Sequence, residues 1–103
     1  MVFEWDERKD RMNQKKHGLA FADVLTVFDD ARQRSRFDFM HSREEERWVT
    51  LGRSVLGKVC VVVHTFKTQG DEECLRIISA RHATKTEELQ YYSEQGGSHE
   101  EGI

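Results

Sequence analysis

The stretch that predicts the fold is Val59-Cys60-Val61-Val62-Val63, five consecutive apolar residues in a chain of 103. Side chains of a strand alternate between its two faces, so an unbroken apolar run predicts a strand that is covered on both sides. We therefore place a central strand at 58–66. The Gly-containing loop 67–73 joins it to a hairpin partner at 75–80.

Further strands are predicted upstream of this stretch. Residues 48–53 form a strand that follows the polar turn 41–46, and Val2-Phe3-Glu4-Trp5 forms a short first strand. Segment 34–40 alternates with period two, which predicts a half-exposed strand. One side of it carries Ser35, Phe37 and Phe39, and the other carries Arg34, Arg36 and Asp38.

Helices are predicted at three places. The first begins after Asp6 and ends at Gly18, and Met12 is almost its only apolar residue, so most of it is expected to face water or a polyanion. The third begins at Thr84, which forms a capping box with Glu87. The second has one apolar face, made of Phe21, Val24, Leu25 and Phe28.

These elements predict an α+β fold in the order β-α-α-β-β-β-β-α. Its sheet is mainly antiparallel, with two N-terminal helices and a C-terminal helix. A single hydrophobic core normally serves roughly 100 to 150 residues, which leaves no chain for a second one. We therefore predict one domain at 1–93 and a disordered polar tail at 94–103.

Composition indicates the cellular compartment in which the protein is expected. No run approaches the roughly 20 apolar residues of a membrane span, and the N-terminus lacks the order of a signal peptide. The chain is therefore expected in the cytoplasm, where Cys60 and Cys74 stay free thiols.

Charge is distributed unevenly along the chain. The net charge of −3 equals that of the three acidic residues within 94–103, and positive charge gathers at 8–17, 32–36 and 81–85. Clustered Lys and Arg are typical of phosphate binding, although a charge run is also compatible with a plain solvated face.

Eight short motifs occur in an order that resembles the BrnT family of type II toxin-antitoxin systems, over residues 2 to about 92. The chain departs from the family pattern at Ala20, where a helix cap is missing, and at Ala31, where a turn former is missing. Each change costs about 1 kcal/mol of local stability and leaves the chemistry intact. The motifs are Phe3-Glu4-Trp5-Asp6, the spaced Lys9, Asn13 and Lys16-His17-Gly18, Val27-Phe28-Asp29-Asp30, Glu45-Glu46-Arg47, Leu51-Gly52-Arg53-Ser54, Val61-Val62, His64-Thr65 and Arg76-Ile77-Ile78-Ser79-Ala80-Arg81.

The resemblance implies a RelE-like ribonuclease fold and translation arrest by metal-independent RNA cleavage, with no cofactor. It also implies a partner: a BrnA-like antitoxin that carries a ribbon-helix-helix DNA-binding domain. The resulting hetero-oligomer would repress its own operon and so reach operator DNA only through the antitoxin.

Metal-free RNA cleavage needs a base, an acid and cations that offset the charge on phosphorus. His64 can exchange protons at cellular pH; the alternative is a packed histidine hydrogen-bonded at the end of the sheet. Arg53 and Arg81 can each bind phosphate through two parallel hydrogen bonds. The alternative for Arg81 is a salt bridge to Glu87 or Glu88.

Other basic residues are predicted to hold the RNA. Lys9, Lys16 and His17 are spaced by seven to eight residues and so share one helix face, where Lys9 steadies the substrate. His17 is equally suited to interact with the helix dipole. Arg76 and Lys85 complete the predicted RNA-binding set.

The sequence also bears on a metal site and on a non-catalytic role. Cys60 and His64 share a strand face, but no second pair has zinc-like spacing, so no metal site is predicted. The nearly neutral chain is also compatible with a non-catalytic module that binds the antitoxin and acts as co-repressor.

Overall fold

The computed structural model describes residues 1–43 and 45–101, and the side chains of residues 1–43 and 45–93. The strands are β1 (Val2–Trp5), β2 (Arg34–Phe37), β3 (Arg47–Arg53), β4 (Val59–Gln69) and β5 (Glu72–His82). They form one sheet in the order β1-β5-β4-β3-β2. β1 runs parallel to β5, and every other pair of neighbours is antiparallel. The α+β class and the four consecutive antiparallel strands are confirmed.

β4 lies in the centre of the sheet, as its apolar run predicts. Cys60 and Val62 are fully buried on one face, and Val59 and Val61 are buried as well. The predicted loop 67–73 is wrong, because the hairpin pairing continues to Gln69 and Glu72. Gly70 adopts a positive φ of 63° in the two-residue turn, which lets the strands reverse without a longer loop.

β2 is shorter than the predicted strand 34–40. It ends at Phe37, and Phe39–His41 is a turn of 3-10 helix. Asp38 accounts for the break, since its carboxylate binds His41 and its carbonyl accepts a hydrogen bond from the Ser42 hydroxyl. Phe39, predicted on the same side of the strand as Ser35 and Phe37, lies outside β2 and is 83% exposed.

The helices are α1 (Glu7–His17), α2 (Phe21–Val24) and α3 (Lys85–Glu101), with 3-10 segments at Leu25–Asp29 and Phe39–His41. α1 begins and ends as predicted. Asp6 accepts hydrogen bonds from the backbone of Arg8 and Lys9, and Gly18 closes the helix at φ 70°.

Most of α1 is exposed, as predicted, but its buried side is not the one that Met12 marks. Met12, its expected apolar contact, is 68% exposed, whereas Asp10 and Asn13 are buried. Asn13 donates to the carbonyl of Leu19 and accepts from the amide of Ala80. The buried face is therefore polar but hydrogen-bonded, which periodicity of apolar residues cannot reveal.

The predicted second helix at 21–28 is also revised. It is an α-helix for four residues only and continues as 3-10 helix, where Thr26 donates its hydroxyl to the carbonyl of Asp23. The three-residue period of that segment aligns Val27 with Val24, and both are fully buried.

The two faces of the sheet have different covers. The inner face packs against α1, α2 and Leu25–Asp29, and α3 crosses the outer face. The core on the inner face consists of Leu19, Phe21, Val24, Val27, Cys60, Val62, Leu75, Ile77 and Ala80. The predicted tail at 94–103 falls on residues whose side chains lie outside the described part of the chain, and it stays a prediction. In the described residues no helix is long and apolar enough to cross a membrane.

Candidate nucleic-acid interface

The outer face of the sheet carries a row of side chains with arginine at each end. Strand register aligns Arg34 with Leu51, Leu51 with Val61, and Val61 with Arg81. Adjacent strands lie about 4.8 Å apart, so the two arginines are separated by roughly 14 Å at the backbone. Between them the floor is apolar. We call this set, Arg34, Leu51, Val61 and Arg81, the arginine row.

A second row lies beside the first, because the side chains two residues along each strand share its face. It aligns Arg36 with Val49, Val49 with Val63, and Val63 with Ser79. A groove of about 300 Å³ covers this part of the sheet. Its walls are Arg34, Ser35, Arg36, Val49, Leu51 and Val61 from the sheet, and Glu87 and Gln90 from α3.

Arg81 is held by helix α3. Its guanidinium donates two hydrogen bonds to the carboxylate of Glu87, over 2.8 and 3.0 Å. These bonds lower the pKa of Glu87 to about 2 and raise the pKa of Arg81. Glu87 also caps its own helix by accepting from the amide of Thr84. The structure thus places Arg81 against Glu87, which lines the groove, in the salt bridge that the sequence analysis kept as its alternative.

Asp30 lies between the end of β3 at Arg53 and helix α3. Its carboxylate accepts hydrogen bonds from the hydroxyl of Tyr91 and from the backbone amides of Arg53 and Arg32. Burial alone would raise the pKa of Asp30, but these hydrogen bonds outweigh it and lower the pKa. Burial, followed by the nearby carboxylate, raises the pKa of Tyr91 to about 12.

The remaining arginines of the predicted site lie further along the outer face. Arg53 is exposed at the end of β3, paired in register with Val59. Arg76 lies 3.5 Å from Glu4, and both side chains are partly exposed. Lys85 is exposed at the first turn of α3. Arg53, Arg76 and Arg81 therefore share one face of the sheet.

His64 lies on the opposite, inner face. Its ring is 5% exposed and meets the ring of Phe28 edge to face at 5.0 Å. Nε2 is 2.7 Å from the hydroxyl of Thr50, and Nδ1 is 3.3 Å from the carbonyl oxygen of Thr65. Burial lowers the pKa of His64. The sheet separates this ring from Arg53 and Arg81, so the structure does not bring the predicted catalytic set together.

The basic residues of α1 form a separate surface. Lys9, Lys16 and His17 line one groove of about 460 Å³ beside the edge of β5. The groove also contains the apolar side chains of Met12 and Ile78. Three of the predicted RNA-contacting residues thus line one groove together, and this groove shares no residue with the one that Arg34 and Arg36 line.

Several groups at the groove were missed by sequence reasoning. Arg34 and Arg36 were placed on one side of a strand by alternation, and that signal identifies them as a pair of cations on one face. Ser35 and Thr50 left no such signal, because their hydroxyls are joined only by strand pairing. The Cys60 thiol donates to the carbonyl of Lys58, whereas the ring of His64 has Thr50 and Thr65 as its partners.

The comparisons with known proteins agree with one another. A family model described as "Ribonuclease toxin, BrnT, of type II toxin-antitoxin system" matches residues 5–87. The crystal structure of the Brucella abortus ribonuclease toxin, BrnT, is 27% identical and superposes with a TM-score of 0.55. The match covers 82% of this chain and 100% of that one. No protein with a curated description matches the chain in sequence. The chain belongs to the BrnT family of ribonuclease toxins of type II toxin-antitoxin systems.

Proposed function

We propose that this protein is a metal-independent endoribonuclease that arrests translation by cleaving RNA in the cytoplasm. Membership of a ribonuclease toxin family supports the class of reaction. The observation that carries the proposal is the arginine row, in which two guanidinium groups flank an apolar floor. Guanidinium ions offset the negative charge that develops on phosphorus, and apolar side chains can contact bases.

The roles of individual residues follow from their positions. Arg81 and Arg53 would contact phosphate on the outer face, with Arg76 and Lys85 extending the cationic track. Glu87 holds the Arg81 guanidinium in place over two hydrogen bonds, and a phosphate oxygen would compete with it for the same donors. Lys9, with Lys16 and His17, would hold a more distant part of the RNA along the α1 groove.

We further propose that a BrnA-like antitoxin with a ribbon-helix-helix domain neutralises the toxin. The toxin-antitoxin hetero-oligomer would bind operator DNA through the antitoxin alone. Family membership implies an antitoxin partner, and the domain 1–93 with its mainly antiparallel sheet fits a RelE-like relationship. An antitoxin that covers the outer face would block RNA access and explain neutralisation.

The test is cleavage of a labelled RNA by the purified chain in excess EDTA. We expect cleavage by the wild type, and a loss of at least about 100-fold in Arg81→Ala, because a charge-stabilising group is removed. Arg11→Ala, an exposed arginine of α1 that lines neither groove, serves as the matched control. Full activity of Arg81→Ala would remove Arg81 from the mechanism, and dependence on added metal would contradict a metal-independent reaction.

A non-catalytic co-repressor is the second candidate function. It is favoured by one observation: the Arg81 guanidinium and both nitrogens of His64 already have hydrogen-bond partners within the chain. In that case folded wild-type protein would bind the antitoxin tightly yet leave RNA intact. RNA cleavage that the antitoxin abolishes would exclude this candidate.

A further inference from the structure

A line of hydrogen bonds joins the buried ring of His64 to the edge of the sheet. Thr50 Oγ1 lies 2.7 Å from His64 Nε2, and Ser35 Oγ lies 2.6 Å from Thr50 Oγ1. Thr50 is fully buried and His64 is nearly so, whereas Ser35 is exposed on the edge strand β2. We call Ser35, Thr50 and His64 the hydroxyl relay.

The chemistry of the partners fixes the direction of every proton in the relay. A carbonyl oxygen only accepts hydrogen bonds, so the contact with Thr65 requires the hydrogen on Nδ1 of His64. Nε2 of the neutral ring is then an acceptor, and the Thr50 hydroxyl must donate to it. Because Thr50 has a single hydroxyl hydrogen, the Ser35 hydroxyl donates to Thr50.

His64 can therefore act on a substrate only through the relay. Both ring nitrogens have partners inside the protein, and the ring itself is buried against Phe28. Ser35, in contrast, is exposed on the edge strand. Its hydroxyl shares the inner face with Thr50 and His64, and both Ser35 and His64 line an apolar inner cavity of about 530 Å³. The side chains of Arg34 and Arg36 lie on the outer face of the same strand.

We propose that Ser35 is a catalytic residue and Thr50 a positioning residue, which together carry a proton from RNA to His64. This inference rests on the ribonuclease function proposed above. It locates the base of the reaction at the inner end of the hydroxyl relay, with its outlet at the exposed edge strand β2. Arg34 and Arg36, the chain neighbours of Ser35, lie on the outer face of that strand. RNA that crosses this edge of the sheet would place its phosphate on the arginines and its 2′-hydroxyl at Ser35.

A proton passes from the RNA to His64 in three transfers. The 2′-hydroxyl gives its proton to Ser35, Ser35 gives its own to Thr50, and Thr50 gives its own to Nε2 of His64. The 2′-oxygen bonds to phosphorus, and the bond from phosphorus to the 5′-oxygen breaks. The leaving 5′-oxygen takes a proton from water. The hydroxide left behind is neutralised when His64 returns its proton, which yields a 2′,3′-cyclic phosphate and a 5′-hydroxyl.

Few charged groups surround the relay. The elements packed around His64 contribute mainly aromatic and aliphatic side chains to the inner cavity, namely Phe3, Phe28, Trp48, Phe66 and Leu75. The titratable groups that line the same cavity are the carboxylate of Asp29 and the amino group of Met1. The pH profile must therefore be compared with that of Asp29→Asn, which keeps the size of the side chain.

The pH dependence of cleavage tests the relay. Neutral His64 accepts the proton, so the wild-type rate should fall on the acid side, at a pH below 6.5 because burial lowers the pKa of His64. Ser35→Ala should lower kcat by about 10-fold or more with KM little changed, and should abolish that acid limb. Thr50→Val should do the same. Thr50→Ser, which restores the hydroxyl, should recover most of the rate.

Nitrogen NMR of the His64 ring supplies a readout that is independent of activity. We expect the wild type to carry its hydrogen on Nδ1, and we expect Thr50→Val to change the pKa of His64 while the protein stays folded. A hydrogen on Nε2 in the neutral wild type would overturn the relay.

The outcomes separate the relay from the proposed function. Cleavage by the wild type with an unchanged profile in Ser35→Ala would overturn the relay alone. An acid limb that disappears in Asp29→Asn but persists in Thr50→Val would assign the proton to Asp29 and also overturn it. Absence of cleavage by folded wild type would overturn the ribonuclease proposal, and with it the catalytic use of the relay.

Discussion

Asp30 connects three separate parts of the molecule through one carboxylate. It accepts hydrogen bonds from Tyr91 of α3, from the amide of Arg53 at the end of β3, and from the amide of Arg32 before β2. A partly buried carboxylate is stable in its charged form only when such donors surround it. Asp30 therefore anchors α3 to the rest of the fold through Tyr91.

Acid sensitivity is expected at the Arg81–Glu87 pair. The pKa of Glu87 is about 2 in the folded protein, against an ordinary 4.5. The pair thus stabilises the fold fully above pH 4.5 and loses its effect as the pH falls towards 2. Both side chains are partly exposed, so screening limits the contribution to about 1 kcal/mol.

Urea unfolding of Glu87→Gln between pH 2 and 6 checks this expectation. The variant should be less stable than the wild type at pH 6 and equal to it near pH 2. Glu88→Gln, an exposed neighbour on the same helix, is the matched control. A difference between Glu87→Gln and the wild type that does not change with pH would contradict the ion pair as its cause.

The backbone at Gly52 lies so close to Val27 of the core that a side chain does not fit there. A Cβ at this position would lie 2.6 Å from Cγ1 of Val27 and 3.3 Å from its carbonyl oxygen. Gly52→Ala should therefore lower the free energy of unfolding by roughly 1–3 kcal/mol, because the 3-10 segment must shift. Chemical denaturation measures the loss, with the exposed Thr68→Ala on β4 as control. Stability equal to the wild type would show that Val27 can move freely.

At the scale of elements, α1 docks through buried polar side chains instead of an apolar stripe. Asp10 accepts a hydrogen bond from the amide of Phe21, which replaces the helix cap that Ala20 cannot provide. Asn13 joins the chain after α1 to strand β5 through Leu19 and Ala80. The side chains of α1 thereby supply hydrogen-bond partners to buried backbone groups of the neighbouring segments.

Asn13→Ala tests this mode of docking. The substitution leaves a buried carbonyl and a buried amide without partners, so the free energy of unfolding should fall by about 2–4 kcal/mol. The exposed Gln14→Ala is the control on the same helix. Denaturant titration followed by circular dichroism gives both values. A loss under 1 kcal/mol would mean that water replaces the lost hydrogen bonds.

At the scale of the whole molecule, the long hairpin of β4 and β5 keeps the two cysteines apart. Cys60 pairs in register with His82, and Cys74 pairs with Lys67, seven residues further along β4. That offset is roughly 24 Å along the strand, far beyond the reach of a disulfide. Both thiols are buried, and burial raises the pKa of each.

Thiol labelling checks this arrangement. In the native protein both cysteines should react with an aromatic disulfide reagent much more slowly than in urea, because thiolate is scarce and access is blocked. The non-reduced mass should correspond to two free thiols. Fast labelling of the native protein would show that the sheet opens locally, and a mass lower by two hydrogens would contradict the register.

A β-bulge decides which residues of β5 reach the core. Val63 pairs with Ser79 and His64 with Ile77, so Ile78 is the extra residue. Ile77 and Ala80 consequently both face the inner side although they are three residues apart. Simple alternation along β5 would put Arg76 and Arg81 on opposite faces, and the bulge brings them to the same face.

The sequence by itself determined the central strand, the caps of α1, the order of the antiparallel strands and the family. These features depend on side-chain periodicity and on hydrogen bonds between residues only a few positions apart. Only the tertiary structure decided the burial of Asn13, the partner of Arg81 and the separation of His64 from Arg53. Each of these depends on contacts between distant segments, whose free energy no local pattern encodes.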